Sequence, residues 1–89
     1  MPERETVISN RLGLHARAAA RLVQTVQGFK SGVWLRARGH EVDARSIMGV
    51  MMLAAAKGAT VMLETEGEDE SEAIEALSSL VAARFGEAE

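Results

Sequence analysis

The sequence predicts an α/β protein built as a two-layer sandwich, with elements in the order β-α-β-β-α-β-α and a single domain over residues 1–89. Stretches with apolar residues at three- and four-residue spacing alternate along the chain with short runs of period two. Three amphipathic helices need an apolar surface to cover, and four strands can form one sheet with a face to offer. No internal repeat and no long linker divides the order.

The first strand is placed at Glu5 to Ile8, where Thr6, Val7 and Ile8 supply β propensity. "SNRLGLH" reads as a loop containing Asn10 and Gly13. A helix begins at Ala16, with Ala19, Leu22, Val23 and Val26 inward, Arg17, Arg21 and Gln24 outward, and Gly28 as its stop. "GVWLRARGHEVDA" reads as two short strands about a turn at Gly39, and the size of Trp34 leaves open which face is buried. Ser46 caps a short helix from Ile47 to Leu53. "TVMLETE" is the last strand, with Val61 and Leu63 alternating against Thr60, Met62 and Glu64. Asp69 and Glu72 have the spacing of a capping box, and the apolar stripe Ala73, Ile74, Leu77, Leu80 and Val81 carries a final helix to about Phe85.

Composition narrows the function. With no cysteine and no apolar leader, the expected location is the cytoplasm. "IMGVMMLAAA" is too short to span a bilayer, so stable membrane insertion is not expected. Met1 to Arg45 holds eight basic and four acidic residues, whereas Ser46 to Glu89 holds two basic and nine acidic. Such segregation can steer an anionic partner toward the first half, or it can be a solvated surface of mixed charge. The arginines are scattered, which argues against a nucleic-acid footprint.

"GLHARAA" (Gly13 to Ala19) places His15 at a helix start. Imidazole is both nucleophile and proton carrier. An anion on it would meet the free amides of Ala16 and Arg17 and the positive end of the helix dipole. The Arg17 guanidinium suits phosphoryl oxygens. A satisfied loop histidine fits the same residues, and both readings stay open at this level. No acidic residue or second histidine lies nearby in sequence to activate water, and His40 reads as a turn residue. A metal site built on the two histidines is not expected, since no closely spaced carboxylate pattern supports one.

"SIMGVMML" turns Val50 and Leu53 inward, while Ile47, Met48 and Met51 share another side. That side is either core or an exposed, adaptable patch for partners, and Met52 is ambiguous. Ser46 is a cap, and its exposed hydroxyl is also one that a kinase can modify.

With "GLHARAA", "SIMGVMML" followed by "AAAKGA", and "EGEDESEAIEAL" in this order, the chain resembles the histidine-containing phosphocarrier (HPr) family of the bacterial sugar phosphotransferase system over nearly its full length. The resemblance implies an open-faced sandwich of three helices on a four-stranded antiparallel sheet. It implies that His15 accepts a phosphoryl group on Nδ1 from phosphorylated enzyme I and passes it to enzyme IIA domains, with Arg17 assisting. Phosphoenolpyruvate is then the upstream source and magnesium a requirement of enzyme I, with no cofactor bound by this chain. It also implies a regulatory serine kinase or phosphorylase site at Ser46, and partner contacts at Ala20, Gln24, Ile47, Met48 and Met51. The chain is read as a monomeric stoichiometric carrier with a shallow site, not an enzyme. A regulator of the same fold switched at Ser46, or a carrier for a nitrogen-related or dihydroxyacetone branch, is the alternative. Two positions depart from the family pattern. Ala18 replaces the usual proline, and Ala54 stands where glycine is common, which is harmless if the backbone there stays helical.

Overall fold

The computed structural model describes residues 2–89. Its elements are β1 (Glu3–Val7), α1 (Ala16–Gln27), β2 (Gly32–Ala37), β3 (His40–Asp43), α2 (Ile47–Met52), β4 (Thr60–Glu66) and α3 (Glu70–Ala82), followed by a single 3-10 turn at Arg84–Gly86. All pairings in the sheet are antiparallel, in the spatial order β1-β4-β2-β3. The order is the predicted one, and the three helices cover one face.

Alternation decides that face. Val33, Leu35 and Ala37 of β2 and Val61, Leu63 and Thr65 of β4 point into the core. There they meet Ala19, Leu22, Val23 and Val26 of α1 and Ile74, Leu77 and Val81 of α3. Trp34 therefore lies on the open face, half-buried across Gly32. The first strand starts two residues before its predicted position and ends at Val7. Pairing of Glu3, Arg4 and Glu5 with Glu64, Leu63 and Met62 compensates for their weak intrinsic preference. Ile8 leaves the strand but stays buried, its amide donating to the Ala59 carbonyl at 2.9 Å.

The predicted capping box at Asp69 does not form. Asp69 is the N-cap of α3, but its side chain makes no capping bond. Its carboxylate instead accepts from the amides of Lys30 and Ser31, both at 2.9 Å, and from the Ser31 hydroxyl. The loop before β2 offers three donors, and that tertiary demand outweighs the local one. The Ser31 bond, then the Lys30 amide, holds the Asp69 carboxyl down at about 2. A depressed carboxyl contributes stability that is complete above its unfolded value and is lost as pH falls through the folded one. Thermal midpoints should accordingly fall more steeply between pH 4 and 2 in the native protein than in Asp69→Asn, and parallel curves would refute the assignment.

The short helix α2 ends in a way that corrects the reading of Ala54. Met52 is its last residue and Leu53 its C-cap, and Ala54 has φ 50°, a left-handed conformation. Its backbone is not helical, so alanine there is not harmless: a Cβ in this region costs about 1–2 kcal/mol, offset in part by the greater freedom glycine loses on folding. Ala54→Gly is expected to stabilise the protein by about 0.5–1 kcal/mol, seen as a rise of a few degrees in Tm. A lower Tm would contradict it.

The final helix stops at Ala82 instead of running to Phe85. Arg84 and Phe85 are both left-handed, with φ 57° and 56°, and this reversal drives the Phe85 ring into the core. The chain that follows is turned back toward the start of α1.

Candidate functional site

The loop before α1 is held from beneath. Asn10 is fully buried, and its Nδ2 donates to the Gly13 carbonyl at 2.7 Å. Gly13 takes φ 67°, and the next amide, that of buried Leu14, donates to the Ala55 carbonyl at 2.9 Å. These contacts deliver His15 in an extended conformation as the N-cap of α1, which begins at Ala16 as predicted. Its Nδ1 accepts from the Arg17 amide at 3.3 Å, and its carbonyl from the Ala19 amide at 2.9 Å. Ala18 and Ala19 are wholly buried, so the first turn that carries the ring is fixed to the core.

The other ring nitrogen meets a residue that the sequence does not bring near. Nε2 lies 2.5 Å from Oε2 of Glu87, 72 residues away in the chain. The second oxygen of Glu87 accepts from Asn10 Nδ2 at 3.0 Å. The Glu87 carboxyl is held below the usual carboxylate range, first by the Asn10 bond, against partial desolvation, and then by the hydrogen bond and charge of His15 and the charge of Arg17. It is a carboxylate at neutral pH.

His15 lies in an open depression of about 590 Å³, lined by Arg11, Leu12, His15, Arg17, Glu87 and Glu89 among others. Its side chain is 27% exposed, as a shallow site requires. Arg17 is exposed, and among the described residues its guanidinium makes no hydrogen bond or ion pair. His40 is exposed on β3, away from this depression.

The predicted apolar side of α2 is exposed: Ile47, Met48 and Met51 are joined by Met52, which is 78% exposed, while Val50 and Leu53 are core. Leu12, 61% exposed, adds an apolar wall to the depression itself. The helix α2 packs against α1, on which Gln24 is exposed and Ala20 half-buried. Ser46 caps α2, its Oγ accepting from the Gly49 amide at 3.0 Å, and is exposed.

The charge segregation of the two halves does not survive folding as two surfaces. Acidic β4 sits between β1 and β2, and ion pairs join the halves at Arg4–Glu75 (2.7 Å), Arg11–Glu89 (3.4 Å) and Lys30–Glu68 (3.9 Å). What remains locally is Arg17 at the rim of the depression. Asn10, Leu12 and Glu87 are the site residues that sequence reasoning missed. Gly86, past the apolar stripe of the last helix, was the available signal for a reversal before Glu87, since glycine beyond a helix end marks its stop.

Among the described residues, no helix is long and apolar enough to cross a membrane. A family model described as the PTS HPr component phosphorylation site matches residues 2–83. The chain is 58% identical to the phosphocarrier protein HPr of Cupriavidus necator over 89 residues, the whole of both proteins. It is 52% identical to that of Xylella fastidiosa over 87 residues, 98% of each. The crystal structure of HPr-C-His from Thermoanaerobacter tengcongensis superposes with a TM-score of 0.94 at 47% identity, covering 98% of each chain. Crh, a Bacillus subtilis catabolite-repression protein crystallised as a swapped dimer, gives 0.77 at 42% identity, over 94% of this chain and 97% of that one. A chain matched along nearly its whole length at this identity shares the ancestry as well as the fold, and it belongs to the HPr family of the phosphotransferase system.

Proposed function

We propose that this protein is a stoichiometric phosphoryl carrier that accepts the group on His15 Nδ1 from phosphorylated enzyme I and gives it to enzyme IIA domains. The observation that carries this reading is the placement of Nδ1 at the start of α1, 3.3 Å from the Arg17 amide, on a partly exposed ring. The Nδ1 lone pair attacks phosphorus in line, and the donor's nitrogen–phosphorus bond breaks with its electron pair staying on the donor. As the lone pair is used, the Arg17 amide is freed to donate to a phosphoryl oxygen, joined by the Ala16 amide and the Arg17 guanidinium. Transfer onward reverses the step.

Both encounters must be brief, and a small adaptable surface suits that demand. Leu12, Ile47, Met48, Met51 and Met52 supply exposed apolar area, with Arg17 as a positive element for an acidic partner. Modification of exposed Ser46 by a serine kinase would place negative charge beside Ile47 and Met48 and oppose such docking.

Intact-mass spectrometry after incubation with phosphoenolpyruvate, magnesium and enzyme I tests the reading. One acid-labile phosphoryl group is expected on the native protein, none on His15→Ala, with discharge by an enzyme IIA. No transfer from a demonstrably active enzyme I would sink it.

A further inference from the structure

We infer that Glu87 is a positioning residue for His15: it keeps the ring hydrogen on Nε2, so that the Nδ1 lone pair is the nucleophile, and it balances the positive charge that the ring gains when Nδ1 becomes bonded to phosphorus. The inference rests on the carrier reading and deepens it. Its basis is the pair of contacts made by one ring. The Arg17 amide can donate only to a bare Nδ1, and a carboxylate 2.5 Å from Nε2 can accept only from a protonated one. Both therefore select one neutral tautomer, by independent elements at opposite ends of the chain.

Glu87 does not reach His15 by the swing of a free side chain. Its side chain is only 13% exposed, and Asn10, fully buried, donates to its other oxygen. The segment carrying it is fastened on both sides. Before it, the Phe85 ring is buried and Arg21 Nη1 donates to the Phe85 carbonyl at 2.5 Å. After it, Arg84 donates to the Ala88 carbonyl at 3.1 Å and the Arg11 amide to the Glu89 carbonyl at 2.8 Å. Folding therefore meets the entropy of placing the carboxylate before any partner arrives.

The charge follows from the bond count. Attack by a neutral ring through Nδ1 leaves Nε2–H in place, so the phosphorylated ring is cationic until that proton departs. Glu87 faces it directly, whereas Arg17 and Arg11, the cations lining the depression, disfavour it, and Glu89 is engaged by Arg11. A ring kept protonated on Nε2 is also the better leaving group in the onward step, because it departs neutral. Glu87 takes up no proton in this scheme, and its effect is exerted through the imidazole alone.

The test is ¹H–¹⁵N spectroscopy of the imidazole, run beside phosphorylation kinetics, in the native protein, Glu87→Ala and Glu87→Gln. The native ring is expected to show a hydrogen-bonded Nε2–H proton protected from water exchange, retained after phosphorylation. Glu87→Ala should lose that protection and accept the phosphoryl group about 10- to 100-fold more slowly. Glu87→Gln, which keeps an acceptor oxygen without the charge, should recover protection and part of the rate. Backbone spectra identify any variant whose fold is disturbed, and Glu87→Gln then decides. A native hydrogen on Nδ1, protection unchanged in Glu87→Ala, or unchanged transfer rates despite its loss would each overturn the inference. Failure of every protein to be phosphorylated would count against the carrier reading alone, and the proton arm would still decide the role of Glu87.

Discussion

Gly13→Ala is expected to destabilise the protein by about 2–4 kcal/mol and to slow phosphorylation of His15. Two costs combine. The residue is left-handed at φ 67°, which any side chain resists. Its Cβ would also lie 2.5 Å from the Ala55 carbonyl oxygen and 2.9 Å from the Ala56 Cα, backbone atoms that no rotamer change can move aside. Relief requires the loop to lift from residues 55 and 56, which breaks the 2.9 Å bond from the Leu14 amide and displaces the ring next along the chain. Gly39→Ala separates the two costs. Gly39 has φ 81° with nothing within 4 Å of its added carbon, so only about 1–2 kcal/mol of conformational strain is expected there, and no effect on transfer. Equal urea midpoints for the two variants would refute the steric part of the argument.

Phe85→Ala is expected to cost about 3–5 kcal/mol, because truncating a wholly buried ring removes its transfer energy and leaves a cavity. The substitution also reaches the site. Phe85 keeps its strained left-handed backbone because its ring is packed, and that turn aims Glu87 at His15 and Asn10. With the ring gone the reversal loses its anchor, and the Nε2–H proton of His15 should exchange freely even in the fraction that remains folded. An unchanged urea midpoint, or full protection of that proton, would show that the tail is held by its hydrogen bonds without the ring.

Much of the site was legible because its determinants are local. A histidine followed by a run of alanines and arginines at helical spacing marks a helix start, and an N-cap ring must face the free amides of the first turn. The same holds for Ser46 above Gly49, and for Val50 and Leu53 turned inward on a helix too short to bury every side. The errors share the opposite character. Asp69 has a local partner in principle, yet the loop at Lys30 and Ser31 claims its carboxylate. Glu3 and Arg4 have little preference for a strand, yet β4 pairs with them.

Periodicity, cap chemistry and turn residues determined by themselves the seven elements, their order, the inward stripes and the position of His15 at the head of α1, because each depends on neighbours within about four residues. Only the tertiary structure decided which face Trp34 takes, that Ala54 is left-handed, that the two charge-biased halves interleave, and that Glu87 closes on Nε2 from 72 residues away. Those outcomes depend on which surfaces the core brings together. The buried Phe85 ring and the hydrogen bonds from Asn10, Arg21 and Arg11, not any preference local to Glu87, hold the carboxylate against the imidazole.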